Sequence, residues 1–264
     1  MGADKKRGFK PVEELVFSDD FMFGAVMRDP KICKGVLERL LQVNIDHIEY
    51  PELQKAISPF YTRKGVRLDV YVADGGRVFD VECQSYRVDG IGKRTRYYQS
   101  MIDIDSLMKG DDYSELRESY VIFICTDDPF GRGLPVYTFN RTCGEDAGVD
   151  LGDETHHVVF NASAYEREEN SDIKDFLSFV KTNTAKSEFT RGIADMVQAK
   201  KFEQTFLNEY FAVNLHENDV LKRGRAEGRI ETAKKLLLLG LPFETVAKGT
   251  ELPIEFIRQL AMQK

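Results

Sequence analysis

The stretch RLDVYVADGGRVFDVECQ, residues 67–84, decides how the chain folds. Val66, Leu68, Val70 and Val72 alternate with Arg67, Asp69 and Tyr71. After the turn Ala73-Asp74-Gly75-Gly76, the residues Phe79, Val81 and Cys83 alternate with Asp80, Glu82 and Gln84. Period-two alternation on both sides of a glycine turn predicts two antiparallel strands joined as a hairpin. Successive strand side chains point to opposite faces, so Asp80, Glu82 and Gln84 share a face, and Asp69 shares one with Arg67 and Tyr71. A Gly75-Gly76 loop sets Asp69 directly opposite Glu82; an Asp74-Gly75 loop sets it opposite Asp80, with Glu82 one diagonal away. Either register clusters carboxylates. Like charges opposed across a strand pair cost about 0.2–1 kcal/mol, so a cation or a proton is expected between them.

Oxygen ligands without histidine or thiolate select a hard divalent ion, Mg²⁺ or Mn²⁺. An open carboxylate site holding such an ion suits phosphodiester chemistry. Gln84, two residues beyond Glu82, is placed to orient a water or contact a phosphate. The alternative is a hairpin face carrying ordinary surface acids, and the spacing D…ExQ does not by itself decide between the two.

Outward from the hairpin, residues 18–44 read as two short helices broken at Asp29-Pro30, with Ile32, Val36, Leu37, Leu40 and Leu41 as an apolar stripe. Residues 92–108 read as a helix whose Tyr98, Met101, Ile102 and Leu107 pack on a sheet. SYVIFICT, residues 119–126, is almost continuously apolar, the mark of a strand buried on both faces. Residues 135–142 and 157–161 supply two further strands, expected at the sheet's edges. This order predicts an α/β sandwich around a mixed central sheet. Beyond Tyr165 the chain reads as helix, ending in a linker helix and a small helix-turn-helix-like module broken at Gly240-Pro242 and at 249–253.

Composition narrows the function. The 264 residues, 42% hydrophobic, can bury a sizeable core, so one elaborated domain with an appendage is expected. With 44 acidic against 37 basic residues the net charge is −7, so any nucleic-acid contact must be local. The candidate patches are Lys5-Lys6-Arg7; Arg87 with Lys93, Arg94 and Arg96; and Lys222, Arg223, Arg225 and Arg229. Cys33, Cys83, Cys125 and Cys143 form no CxxC, which argues against a thiolate zinc site and a disulfide framework and predicts a cytoplasmic location. No apolar run is long enough to span a bilayer, and the N-terminus has no apolar signal segment, so no membrane association is expected. No phosphate loop, dinucleotide fingerprint, serine-hydrolase elbow or histidine metal motif occurs.

The run DFMF (residues 20–23), the helix KICKGVLERLLQ, the stretch GVRLDVYVADGGRVFDVECQ, KRTRYYQSMIDIDSLMKG, the strand YVIFICTDDPFG and the C-terminal GRAEGRIETAKKLLLLG together resemble the PD-(D/E)XK nuclease superfamily. Within it they resemble the recombination-promoting nuclease or putative transposase family. The resemblance implies a restriction-endonuclease-like core at residues 18–165, after a flexible N-terminus at 1–17 and before a helical extension at 166–220 and the terminal module at 221–264. It implies Asp69 and Glu82 as metal ligands, Glu38 of the first core helix as a further acidic ligand, and Gln84 at the position of the family's lysine. The cofactor implied is Mg²⁺ or Mn²⁺ and the partner DNA, with Arg94, Arg96 and Gln99 as candidate contacts and a homodimer through residues 221–264 as one role for the tail. Leu68 stands where the superfamily's proline would. Glutamine cannot supply a cation or act as a base, which opens a second reading: a nuclease fold that binds DNA or a protein without turnover. The first reading is a metal-dependent DNA endonuclease of low sequence specificity, linked to recombination or mobile elements.

Overall fold

The computed structural model describes residues 10–48, 52–57, 66–86 and 89–262. The basic run at residues 5–7 and Arg87 lie outside them, as do the side chains of Lys222 and Arg223. Lys10–Phe206 form one compact unit and Leu207–Lys264 belong to a second.

The first unit is built on a six-stranded mixed sheet. Its strands are β1 (Glu52–Ile57), β2 (Val66–Asp74), β3 (Arg77–Gln84), β4 (Glu118–Cys125), β5 (Val136–Phe139) and β6 (Thr155–Asn161), in the order β1-β2-β3-β4-β6-β5. The pairs β1/β2, β2/β3 and β5/β6 are antiparallel, whereas β3/β4 and β4/β6 are parallel. Asp74 pairs with Arg77 across Gly75-Gly76, with Gly75 at φ 56°, a left-handed conformation glycine adopts without steric cost. That fixes the register whose continuation brings Asp69 opposite Glu82. β4 lies between two parallel neighbours, which accounts for its apolar run.

A parallel β3/β4 pair requires a crossover, and α3 (Ile91–Ser106) provides it. Its buried Ile91, Thr95, Tyr98, Gln99 and Ile102 recur at helical spacing, and Tyr98, Met101 and Ile102 pack on Val78, Val121, Phe123, Cys125 and Val159 of the sheet. On the other face of β3, the Cys83 thiol reaches the carbonyl of Ser18 just ahead of α1 (Asp20–Met27). There the rings of Phe17 and Phe23 meet Phe176 and Phe179 of α4 (Ser171–Thr182). α2 (Pro30–Leu41) begins as the sequence predicts, with Pro30 in its first turn and the Asp29 carboxylate accepting from the backbone N–H groups of Lys31 and Ile32. α5 (Glu188–Lys200) completes the unit's full-length helices.

One strand expectation needs correction, and one strand escaped the sequence. β6 is internal, because β5 folds back antiparallel along its free side and takes the edge itself. β1, polar in sequence as ELQKAI, forms the opposite edge.

In the second unit, α6 (Gln204–Leu238, begun in the first unit) stops at Gly240, φ 76°. There the N–H groups of Gly240 and Leu241 bond back to the carbonyls of Leu237 and Leu236, satisfying helix-end acceptors. α7 (Phe243–Thr250) and α8 (Ile254–Met262) then pack Val246 and Ile257 against Ala233. Arg225 is exposed, Arg229 pairs with Glu251 at 2.6 Å, and Gly224 and Gly228 face open space.

Candidate functional site

The hairpin forks. β2 and β3 pair from the turn as far as Val70 and Val81, beyond which β2 continues along β1 and β3 along β4. In the gap, the backbone N–H of Asp69 donates to Glu82 Oε1 at 2.8 Å, and the N–H of Cys83 donates to Asp69 Oδ2 at 3.2 Å. Each carboxylate thus stands where a ladder carbonyl would, and two backbone donors that parting strands would orphan are satisfied.

The acids lie deep. Glu82 is 1% exposed, Gln84 5% and Asp80 0%, while Asp69 is half-buried. Arg94 of α3 closes over them. Its Nη2 donates to Glu82 Oε2 at 2.7 Å, its Nη1 to Gln84 Oε1 at 2.5 Å and its Nε to the Tyr98 hydroxyl at 2.9 Å. Neither carboxylate oxygen of Asp80 accepts from a nitrogen or hydroxyl donor; its polar neighbour is the Glu82 carboxyl.

Burial, then the charge of Asp69, pushes the Glu82 carboxyl up to about 8, against the opposing pull of the Asp69 N–H and Arg94. Burial, then Glu82 and Asp69, holds Asp80 well above the usual carboxylate range. The Cys83 thiol is raised too, by burial and then by Asp69, so it is no thiolate ligand. Without an added cation, this cluster keeps protons at neutral pH.

The structure brings Asp69, Glu82, Gln84 and Arg94 together. Glu38 is engaged elsewhere: its carboxylate accepts from the N–H of Ile45 at 3.1 Å and lies 3.7 Å from the Lys34 ammonium. Asp20 is the helical acid whose charge acts on Glu82. Gln99 is 3% exposed and turned inward, its amide nitrogen donating to Ser119 on β4 at 2.7 Å and to Asp103 at 2.8 Å, so it ties α3 to the sheet and presents nothing to a nucleic acid. Arg96 is exposed on α3. Asp80 is visible in the sequence as one of three alternating polar residues, but its burial is not; Arg94 is a candidate DNA contact there, but its bonds to Glu82 and Gln84 are not foreseen.

Among the described residues, no group of three or more His, Cys, Asp or Glu side chains is arranged to hold a metal ion. A hard divalent ion of the Mg²⁺ type does not need one, since it keeps several waters and is bound by one or two carboxylates together with substrate oxygens. Asp69 and Glu82 would supply those two. The donor set therefore fits such an ion, with Asp69 and Glu82 as the residues that would hold it.

Residues 16–133 match the family model described as PD-(D/E)XK nuclease family transposase. Comparisons with curated proteins and with solved structures return no match.

Proposed function

We propose that this chain, which over residues 16–133 matches the family model of PD-(D/E)XK nuclease family transposases, hydrolyses phosphodiester bonds of DNA with the help of Mg²⁺ or Mn²⁺. The observation that carries the reading is the fork, which holds Asp69 and Glu82 face to face under a guanidinium. A bound divalent ion supplies Lewis acidity toward phosphoryl oxygens and lowers the pKa of a water. The chain's own residues do the positioning. The N–H groups of Asp69 and Cys83 aim the two carboxylates, and Arg94 fixes the side chains of Glu82 and Gln84 in one arrangement. Exposed Arg96 adds a cation on the outer surface of α3, where a phosphate backbone passing the site would meet it. None of these residues reads a base, which supports low sequence specificity; a role in recombination or mobile-element biology rests on the family match alone.

The test is plasmid cleavage in Mg²⁺, Mn²⁺, Ca²⁺ or EDTA, for the wild type beside Asp69→Asn. Asparagine keeps an oxygen to accept the Cys83 N–H and removes the Asp69 charge that opposes Glu82, so in EDTA the variant should melt no lower than the wild type, and it should cut nothing. Undiminished cutting by Asp69→Asn, or wild-type cutting in EDTA, would defeat the proposal. The second reading, a silent DNA- or protein-binding module, is favoured by the neutral Gln84. It predicts no cutting in any ion while DNA binding or partner binding persists.

A further inference from the structure

We infer that Arg94 is a phosphate-contacting residue of this site, the fixed cation that the reacting phosphodiester meets. The inference rests on the hydrolytic reading above.

Three observations carry it. A guanidinium has five N–H donors, and the structure commits three: one to Glu82, one to Gln84 and one to Tyr98. Two remain, on a side chain that is 31% exposed. Second, Gln84 is neutral, and among the described residues Arg94 is the cation bonded to it, its Nη1 lying 2.5 Å from the Gln84 oxygen. A glutamine there accepts from Arg94, whereas a lysine would oppose it, so the two residues fit as a set. Third, the guanidinium sits against the rings of Tyr98 and Phe123, 5.0 and 5.2 Å from their centroids, which fixes its plane. A planar donor pair fixed in this way beside two carboxylates suits bidentate contact with phosphate oxygens.

The test uses R94Q, Q84K and the charge-swap Q84K/R94Q in the full chain. Duplex binding is titrated in Ca²⁺ at several salt concentrations, and plasmid cleavage is followed in Mg²⁺ across pH. R94Q should weaken duplex binding about tenfold or more and make the plot of log affinity against log salt shallower by about 0.9, the loss of one phosphate contact. Its cleavage should fall about a hundred- to a thousandfold. Q84K alone sets an ammonium against the guanidinium and should melt lower without binding or cutting better. The swap should recover the wild-type salt slope and part of the cleavage. It should also gain a basic limb in its pH–rate profile, because a lysine can lose its proton and an arginine in a protein does not.

R94Q binding and cutting like the wild type would overturn the inference and leave the hydrolytic reading standing. A wild type that never cuts, yet whose salt slope depends on Arg94 and returns in the swap, would sustain the phosphate contact and defeat hydrolysis alone. Should R94Q not fold, the swap variant takes its place, and a salt slope below the wild type's there would overturn the inference.

Discussion

The acid cluster makes a signed prediction about stability and pH. Glu82 is 1% exposed, and its carboxyl is raised from 4.5 to about 8 by burial, then by Asp69. An acid raised on folding binds its proton more tightly in the native chain than in the unfolded one. Below about pH 4.5 both states hold the proton and nothing is lost; between there and about 8 the unfolded state ionises first, so stability falls as pH rises. The interval, at about 1.4 kcal/mol per pH unit, corresponds to a loss of roughly 5 kcal/mol, shared with Asp80 as a property of the pair. Urea melts in EDTA between pH 5 and 8, followed by far-UV circular dichroism and tyrosine fluorescence together, should show it. With a slope of about 3 kcal/mol per molar urea, the midpoint should drop by about 1.5 M. Mn²⁺ should flatten the decline, because binding to the ionised pair stabilises the folded state. Glu82→Gln keeps an acceptor for the Asp69 N–H and removes the titration, so its decline should be no more than half that of the wild type. A level wild-type midpoint across this range, or an equally steep decline in Glu82→Gln, would refute the account of the cluster.

Two further outcomes test elements outside the cluster. Gln99→Leu, which strips the donor from Ser119 and Asp103, should cost about 1–3 kcal/mol in urea melts while leaving the cleavage rate of the folded protein unchanged; a normal melt with weakened DNA binding would return Gln99 to the interface. Gly240→Ala forces a side chain into φ 76° and should loosen the terminal module by about 1–2 kcal/mol, read as faster amide exchange over α7 and α8 with the sheet's exchange unaltered.

The hairpin was legible because its signal is local: alternation on both sides of Gly75-Gly76 allows only two registers, and both gather Asp69 with Glu82 or Asp80. The helix and strand identities of residues 91–106 and 118–125 were legible for the same reason. What could not be read depends on contacts distant in sequence. Whether β6 is an edge is decided by β5 folding back along it. Gln99 turns inward because Ser119, twenty residues later, waits on β4. Glu38 carries the right chemistry, but the backbone of Ile45 claims it. Arg94 shows no pattern in sequence that separates it from exposed Arg96; only the crossover that lays α3 over β3 sorts them.

The fork also changes what an acidic pair in such a sequence testifies to. Asp69 and Glu82 act as splints, each closing a backbone donor that the parting strands leave open. A descendant that ceased cutting could not simply exchange both for alanine, since each exchange would strand an N–H at about 1–3 kcal/mol. Architecture alone would preserve the pair long after the chemistry had gone, as mortar outlasts the use of a room. Arg94 mends no broken ladder, so the backbone sets no such demand for its retention.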